Sequence, residues 1–273
     1  MKPINTFISE KLKITKPKEK VEHTLFPTSK TELRQMIINE LKQSVNECNL
    51  NHIDTSKITN MSYLLQGCNY NIDISQWDVS KVENMSYMFE HSSFNGDISE
   101  WDVSNVAVMR SMFKNSKFNG DISDWNVSNV FDMSFMFRES DFNSDISRWD
   151  VSNVEYMNSM FVNSKFNGDI SNWDVSNVKT MEFMFCDSVF NKPIGKWDTS
   201  NVNTMCGMFG GSKFNQNIAN WNVSKCYDMT HMFKDSKFNQ NISNWKINPN
   251  CDTFNMFHNC YINKNFIPKG ISI

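Results

Sequence analysis

A strict period of 24 residues constrains this chain more than any other feature. All eight tryptophans, Trp77, Trp101, Trp125, Trp149, Trp173, Trp197, Trp221 and Trp245, stand 24 apart without an insertion or deletion. The segment Trp101–Asp124 reads WDVSNVAVMRSMFKNSKFNGDISD and then begins again. A period of this length marks architectures in which one repeat cannot bury its own apolar face and stacks on its neighbours. The expected fold is an α/β solenoid of nine 24-residue coils over 53–268, with an N-terminal capping helix.

Within one copy, Val82, Met85, Met88 and Phe89 follow helical spacing behind a Ser80/Glu83 capping box, repeated at Ser152/Glu155, which predicts a short helical arc. Phe94-Asn95-Gly96-Asp97 reads as a turn, and Asp97–Val103 as a short strand. Strands repeated in register pair in parallel between coils, about 4.8 Å apart. An Asn follows the Phe in every register, from Asn71 to Asn263, and is read as an inward-facing amide ladder. The column Asp73, Asp97, Asp121, Asp145 and Asp169 becomes Pro193, Asn217 and Asn241 farther on. Asp exchanging with Asn points to an acceptor for backbone donors more than to a calcium site.

Outside the coils, residues 1–25 are polar, Lys-rich and interrupted by Pro3 and Pro17, and read as a flexible basic leader. Residues 26–52 hold the capping helix: Ser29 and Glu32 form a box, and Leu33, Ile37, Leu41 and Val45 recur at four-residue spacing beside Met36. Such an apolar stripe should cover the first coil. The terminal registers are degenerate, as caps are, with Ile53 in place of Trp and Pro249-Asn250 where a helix should begin. Residues 269–273 form a C-terminal tail.

Composition narrows the function classes. With 27 Lys+Arg against 30 Asp+Glu there is no global field for nucleic acid. No apolar run reaches membrane-spanning length, and the N-terminus lacks the apolar core of a secretory signal. The seven cysteines include no C-x-x-C pair and read as reduced, structural thiols. The Met columns, Met85 to Met229 and Met88 to Met256, sit on the apolar face and read as core filler, not metal ligands. Five scattered histidines and no nucleophile motif argue against an enzyme, and no cofactor or metal is expected.

The pattern WDVSNV…M..MF..S.FN.DIS, with the lead-in PTSKTELRQMI and LNHIDTSKITNMSYLL, resembles the repeat of BspA-like leucine-rich-repeat surface proteins and mycoplasma lipoproteins of unknown function. The resemblance implies a right-handed leucine-rich-repeat-like superhelix, adhesion or protein binding, and a cell-surface location. The leader FISEKLKI is similar to leaders on proteins of large phages of gut bacteria. With no export signal, the cytoplasm or a virion is the expected home.

The expected function is a non-enzymatic interaction or adhesion scaffold for a protein or other macromolecular partner; the alternative is a structural or cargo component of a phage particle. The residue before each Trp varies and stays polar: Gln76, Glu100, Asp124, Arg148, Asn172, Lys196, Asn220 and Asn244. If the strand turns Trp inward, this column points outward, on the inner and more crowded curve, and is the candidate binding surface. Tyr87, Phe131, Phe135, Tyr156, Phe183 and Tyr227 fall at other variable positions and offer either a second contact face or cover for a neighbouring coil.

Overall fold

In the computed structural model, which describes residues 21–44 and 47–271, residues 24 apart lie on one another. Most of the leader, Val45 of the helix stripe and the last two residues of the tail fall outside the described residues. Single parallel bridges run Asn60↔Asn84↔Val108↔Asp132↔Tyr156↔Thr180↔Thr204↔Asp228↔Asp252, one per coil. At the N-terminal end, strand β1 (Glu47–Asn49) pairs in parallel with β2 (Asn71–Asp73) at the same 24-residue offset.

The bridges fall on the Met-Phe segment, not on Asp97–Val103. Met85, Tyr87, Phe89 and His91 donate their N–H groups to Val108, Arg110, Met112 and Lys114 of the next coil, and Ala107 and Lys117 donate back to Glu83 and Ser92. With Val108 N–H also reaching Glu83, seven backbone bonds tie these two coils, and five to seven recur at the other coil-to-coil steps from Met61 onward. Between Ile98 and Val103 the coil-to-coil link is instead the indole: Trp101 Nε1 donates to the Ile74 carbonyl at 3.3 Å, and every other Trp repeats this reach of 27 residues.

The predicted helical arcs are β-turns. Met88 N–H bonds to Met85 C=O and Ser92 N–H to Phe89 C=O, with positive φ at Tyr87 (61°) and His91 (56°). A bond spanning three residues, with the third turn residue left-handed, is turn geometry. Helical spacing and two successive turns place the same side chains inward, which is why the sequence pattern suited both. The Ser80/Glu83 box also gives way: Ser80 turns to Asp78 Oδ1 with its amide (3.0 Å) and hydroxyl (2.6 Å). Likewise Ser152 N–H bonds to Asp150, and Glu155 pairs with Lys179. An Asp two residues before a Ser satisfies that amide locally, which competes with helix initiation.

Helix α1 (Lys30–Gln43) does form. The Ser29 hydroxyl accepts from Glu32 N–H, and the Glu32 carboxylate returns to the Thr28 amide and hydroxyl. Leu33 and Ile37 are fully buried, with Met36 and Leu41 packed beside them, and Lys30 Nζ donates to Ser62 Oγ of the first coil. The core inside the coils is columns of like residues. The Trp rings are 3–6% exposed and the Met and Phe columns close to zero. Consecutive Phe rings of the column Phe89, Phe113, Phe137, Phe161 lie nearly parallel at 5.4–5.8 Å.

Candidate interaction surface

Because the bonds above fix the backbone, outward side chains are held in columns. The residues before the tryptophans form one: Glu100, Asp124, Arg148, Asn172, Lys196, Asn220 and Asn244 are exposed, and Gln76 is half-buried. Arg148 reaches back to Asp124 Oδ1 at 2.7 Å, and Asn244 Nδ2 to the Ala219 carbonyl at 3.1 Å. This column lies on the unbridged segment, so its assignment to the strand side is corrected: the parallel bridges run along the Met-Phe segment.

Constant polar residues around the column work for the backbone. Asp97, Asp121, Asp145 and Asp169 each accept from the N–H of the Ser two residues on, Asn241 does the same from Ser243, and Asn217 accepts from Ala219 N–H. Hydrogen bonds from Ser104, side chain and then backbone, hold the Asp102 carboxyl below its usual range, and those from Ser147, backbone first, do so for Asp145. The Asn ladder is present but outward: Asn119, Asn143 and Asn191 are exposed, and each takes its own N–H to the side-chain oxygen of the Asn one coil before at 2.8–2.9 Å. Among the described residues no three His, Cys, Asp or Glu side chains converge as metal ligands.

The turn face is where coils differ. In its early half the side chains pair with one another, although Tyr63 and Phe131 stay 42% exposed. Tyr63 and Tyr87 stack at 4.5 Å; Glu90, itself buried, takes Gln66 at 2.6 Å and Lys114 at 2.8 Å. Arg110 places its guanidinium 4.8 Å over the Phe135 ring, and Arg138, 6.0 Å away, bonds to Glu139. The later half is open, with Phe183, Tyr227 and Phe254 exposed at 40%, 56% and 66%. Of the aromatics in question, Phe131 is also exposed, whereas Tyr87, Phe135 and Tyr156 are half-buried against neighbours.

A cleft of about 330 Å³ is cut into this half. One coil carries Gly207, Gly210 and Gly211 where others carry Tyr87, Glu90 and His91 or Phe135, Arg138 and Glu139. Phe183, Cys186 and Asp187 wall it on one side and His231, Lys234 and Asp235 on the other. A Cβ at Gly207 would strike the Phe183 ring, and one at Gly211 the Asp187 carboxylate. Burial, then the adjacent Asp187, pushes the Cys186 thiol up to about 12, so it stays protonated and donates weakly to Asp187. The cleft residues are absent from the candidate column read off the sequence; the signal that marks them is three of the chain's nine glycines in a single repeat.

Residues 31–141, 92–189 and 163–269 match, in three overlapping passes, the family model described as "Mycoplasma protein of unknown function, DUF285". No curated protein and no solved structure matches the chain.

Proposed function

The chain belongs to the DUF285 family of Mycoplasma proteins of unknown function, and as a tandem-repeat member of it we propose that it is a non-enzymatic scaffold whose turn face binds a macromolecular partner. The observation that carries this reading is the division of labour in each coil. Constant residues are used up in packing and backbone bonds, and exposed aromatics collect on the turn face, whereas the other variable column, before the tryptophans, is polar throughout. Aromatic side chains on a rigid backbone cost little entropy to dock and dominate interface energetics.

The same reading takes the stack to be a right-handed leucine-rich-repeat-like solenoid of the BspA-like kind, supported by parallel bridges at every 24-residue step. Adhesion is one use of such a surface.

The test is affinity capture from the native source with three baits: the full chain, a Phe131→Ser/Phe183→Ser/Tyr227→Ser variant, and an Arg148→Glu/Lys196→Glu variant. A species bound saturably by the full chain and the Arg148/Lys196 variant, and lost from the aromatic variant, is the expected result. Loss from the Arg148/Lys196 variant alone would move the binding surface to the column before the tryptophans, and no saturable species would overturn the scaffold.

A further inference from the structure

The turn face carries a half-finished copy of an arrangement that is complete 48 residues earlier. At the complete copy, the Phe135 ring is covered by the Arg110 guanidinium at 4.8 Å, with Arg138 at 6.0 Å, and the Glu139 carboxylate accepts from Arg138 Nε at 3.1 Å. Aromatic ring, guanidinium and carboxylate are thus all present in cis, and Phe135 is half-buried beneath them.

Two coils on, the ring recurs as Phe183 and the carboxylate as Asp187, but the positions of Arg110 and Arg138 are held by Asn158 and Cys186. No guanidinium completes the set, and the cation that lines the cleft, Lys234, lies on the far wall toward Asp235. Phe183 is correspondingly exposed, and the glycines of the next coil open the cleft beside it instead of closing over it. Asp235 stands on the far wall, engaged by Asn259 Nδ2 at 2.8 Å and loosely by Lys234 at 3.8 Å.

We propose that this cleft receives an arginine side chain of the partner, its guanidinium lying on Phe183 and bonding to Asp187. A guanidinium suits the site on two grounds. Its plane stacks on an aromatic face within about 6 Å, and its forked donors match a carboxylate, which an ammonium satisfies only as a point charge. The volume, at the small end of the roughly 300–1,000 Å³ of ligand clefts, accommodates one side chain and not a large cofactor. The protonated Cys186 thiol adds no competing charge. The inference rests on the turn face being the partner-binding surface.

The experiment uses the full chain labelled with ¹⁵N-glycine, whose nine glycines give a sparse spectrum. It is titrated with the tripeptide Ac-Gly-Arg-Gly-NH₂ and with its citrulline counterpart, which keeps the shape and loses the charge. The expected result is saturable movement of the Gly207, Gly210 and Gly211 signals, with citrulline binding weaker by about fivefold or more. Phe183→Leu and Asp187→Asn should each weaken the arginine peptide. Cys186→Arg should abolish its effect by supplying the cation in cis, as Arg138 does beside Phe135, with an unchanged unfolding midpoint. Equal response to arginine and citrulline, or no movement up to the probe's solubility limit, would overturn the proposal. Because the probe is small, that failure leaves the capture experiment standing, and binding of the probe without a captured partner would sink the scaffold reading instead.

Discussion

At the scale of single residues, the chain spends its carboxylates on its own backbone. Asp54, Asp102, Asp145, Asp150, Asp169 and Asp198 are all held below the ordinary carboxylate range, in each case chiefly by hydrogen bonds from the Ser two residues on. A depressed folded-state value means the carboxylates stabilise the fold above their unfolded value, near about 4, and that this contribution is lost as pH falls through the lower folded value. Stability should therefore fall below about pH 4, measured as the urea midpoint against pH. Replacing these six by Asn should flatten that fall, since Asn126 and Asn222 already accept from Ser128 and Ser224 in the column of Asp54, Asp102, Asp150 and Asp198, and Asn241 from Ser243 in that of Asp145 and Asp169. An unchanged acid limb would show that these bonds do not persist in solution. Thr180 gives the opposite case: its Oγ1 is buried with no hydrogen-bond partner, at a position that Val108 fills three coils earlier. An unsatisfied buried hydroxyl is unfavourable by about 1–3 kcal/mol, so Thr180→Val should raise the urea midpoint.

At the scale of the coil, the indole and the paired turns divide the task of holding neighbours together. The Trp149 ring is packed in the core while its Nε1 donates to the Ile122 carbonyl at 3.0 Å, on the segment that lacks coil-to-coil backbone bonds. Trp149→Phe keeps an aromatic ring and strands that carbonyl, so a loss of about 1–3 kcal/mol beyond any packing change is expected from chemical denaturation. Smaller loss would mean that the carbonyl finds another donor. The Trp, Met and Phe columns were legible in the sequence because burial imposes composition at every 24th residue. The turn geometry was not, because a Met-x-x-Met-Phe run spans one face of a helix and two successive turns alike. The left-handed positions that separate the two are filled by Tyr87, Ser111, Phe135, Ser159, Phe183 and His231 in the first turn and by His91, Glu139 and Asp187 among others in the second, with glycine at Gly67, Gly207 and Gly211. Inter-coil bonds on both sides impose φ there, so tertiary context overrides the cue that glycine would have given. The cleft was legible only as a cluster of glycines; that Phe183 and His231 wall it depends on the register between three coils.

At the scale of the whole stack, five to seven backbone bonds per interface make neighbouring coils interdependent, and among the described residues these bonds join adjacent coils, so stability should behave as a sum of nearest-neighbour terms. The two ends are not alike. Helix α1 covers the first coil through Leu33 and Ile37, whereas Asn255, Phe257 and Asn259 meet no further coil among the described residues, and Phe254 and Tyr261 stand exposed beside them. Native-state amide exchange should consequently be slowest in the middle, at Phe137, Phe161 and Phe185, and fastest at Phe257 and Asn259, with opening free energies rising inward from that end. Ile37→Asp should expose the other end, adding fast exchange at Leu64 and Leu65 and leaving Phe185 unchanged. Trp149→Phe, which acts in mid-stack, should lower protection on both sides of its coil. If all these amides instead exchange through one common opening, coils must be coupled beyond their immediate neighbours. A partner bound at one coil would then stiffen the whole turn face, not a local stretch of it.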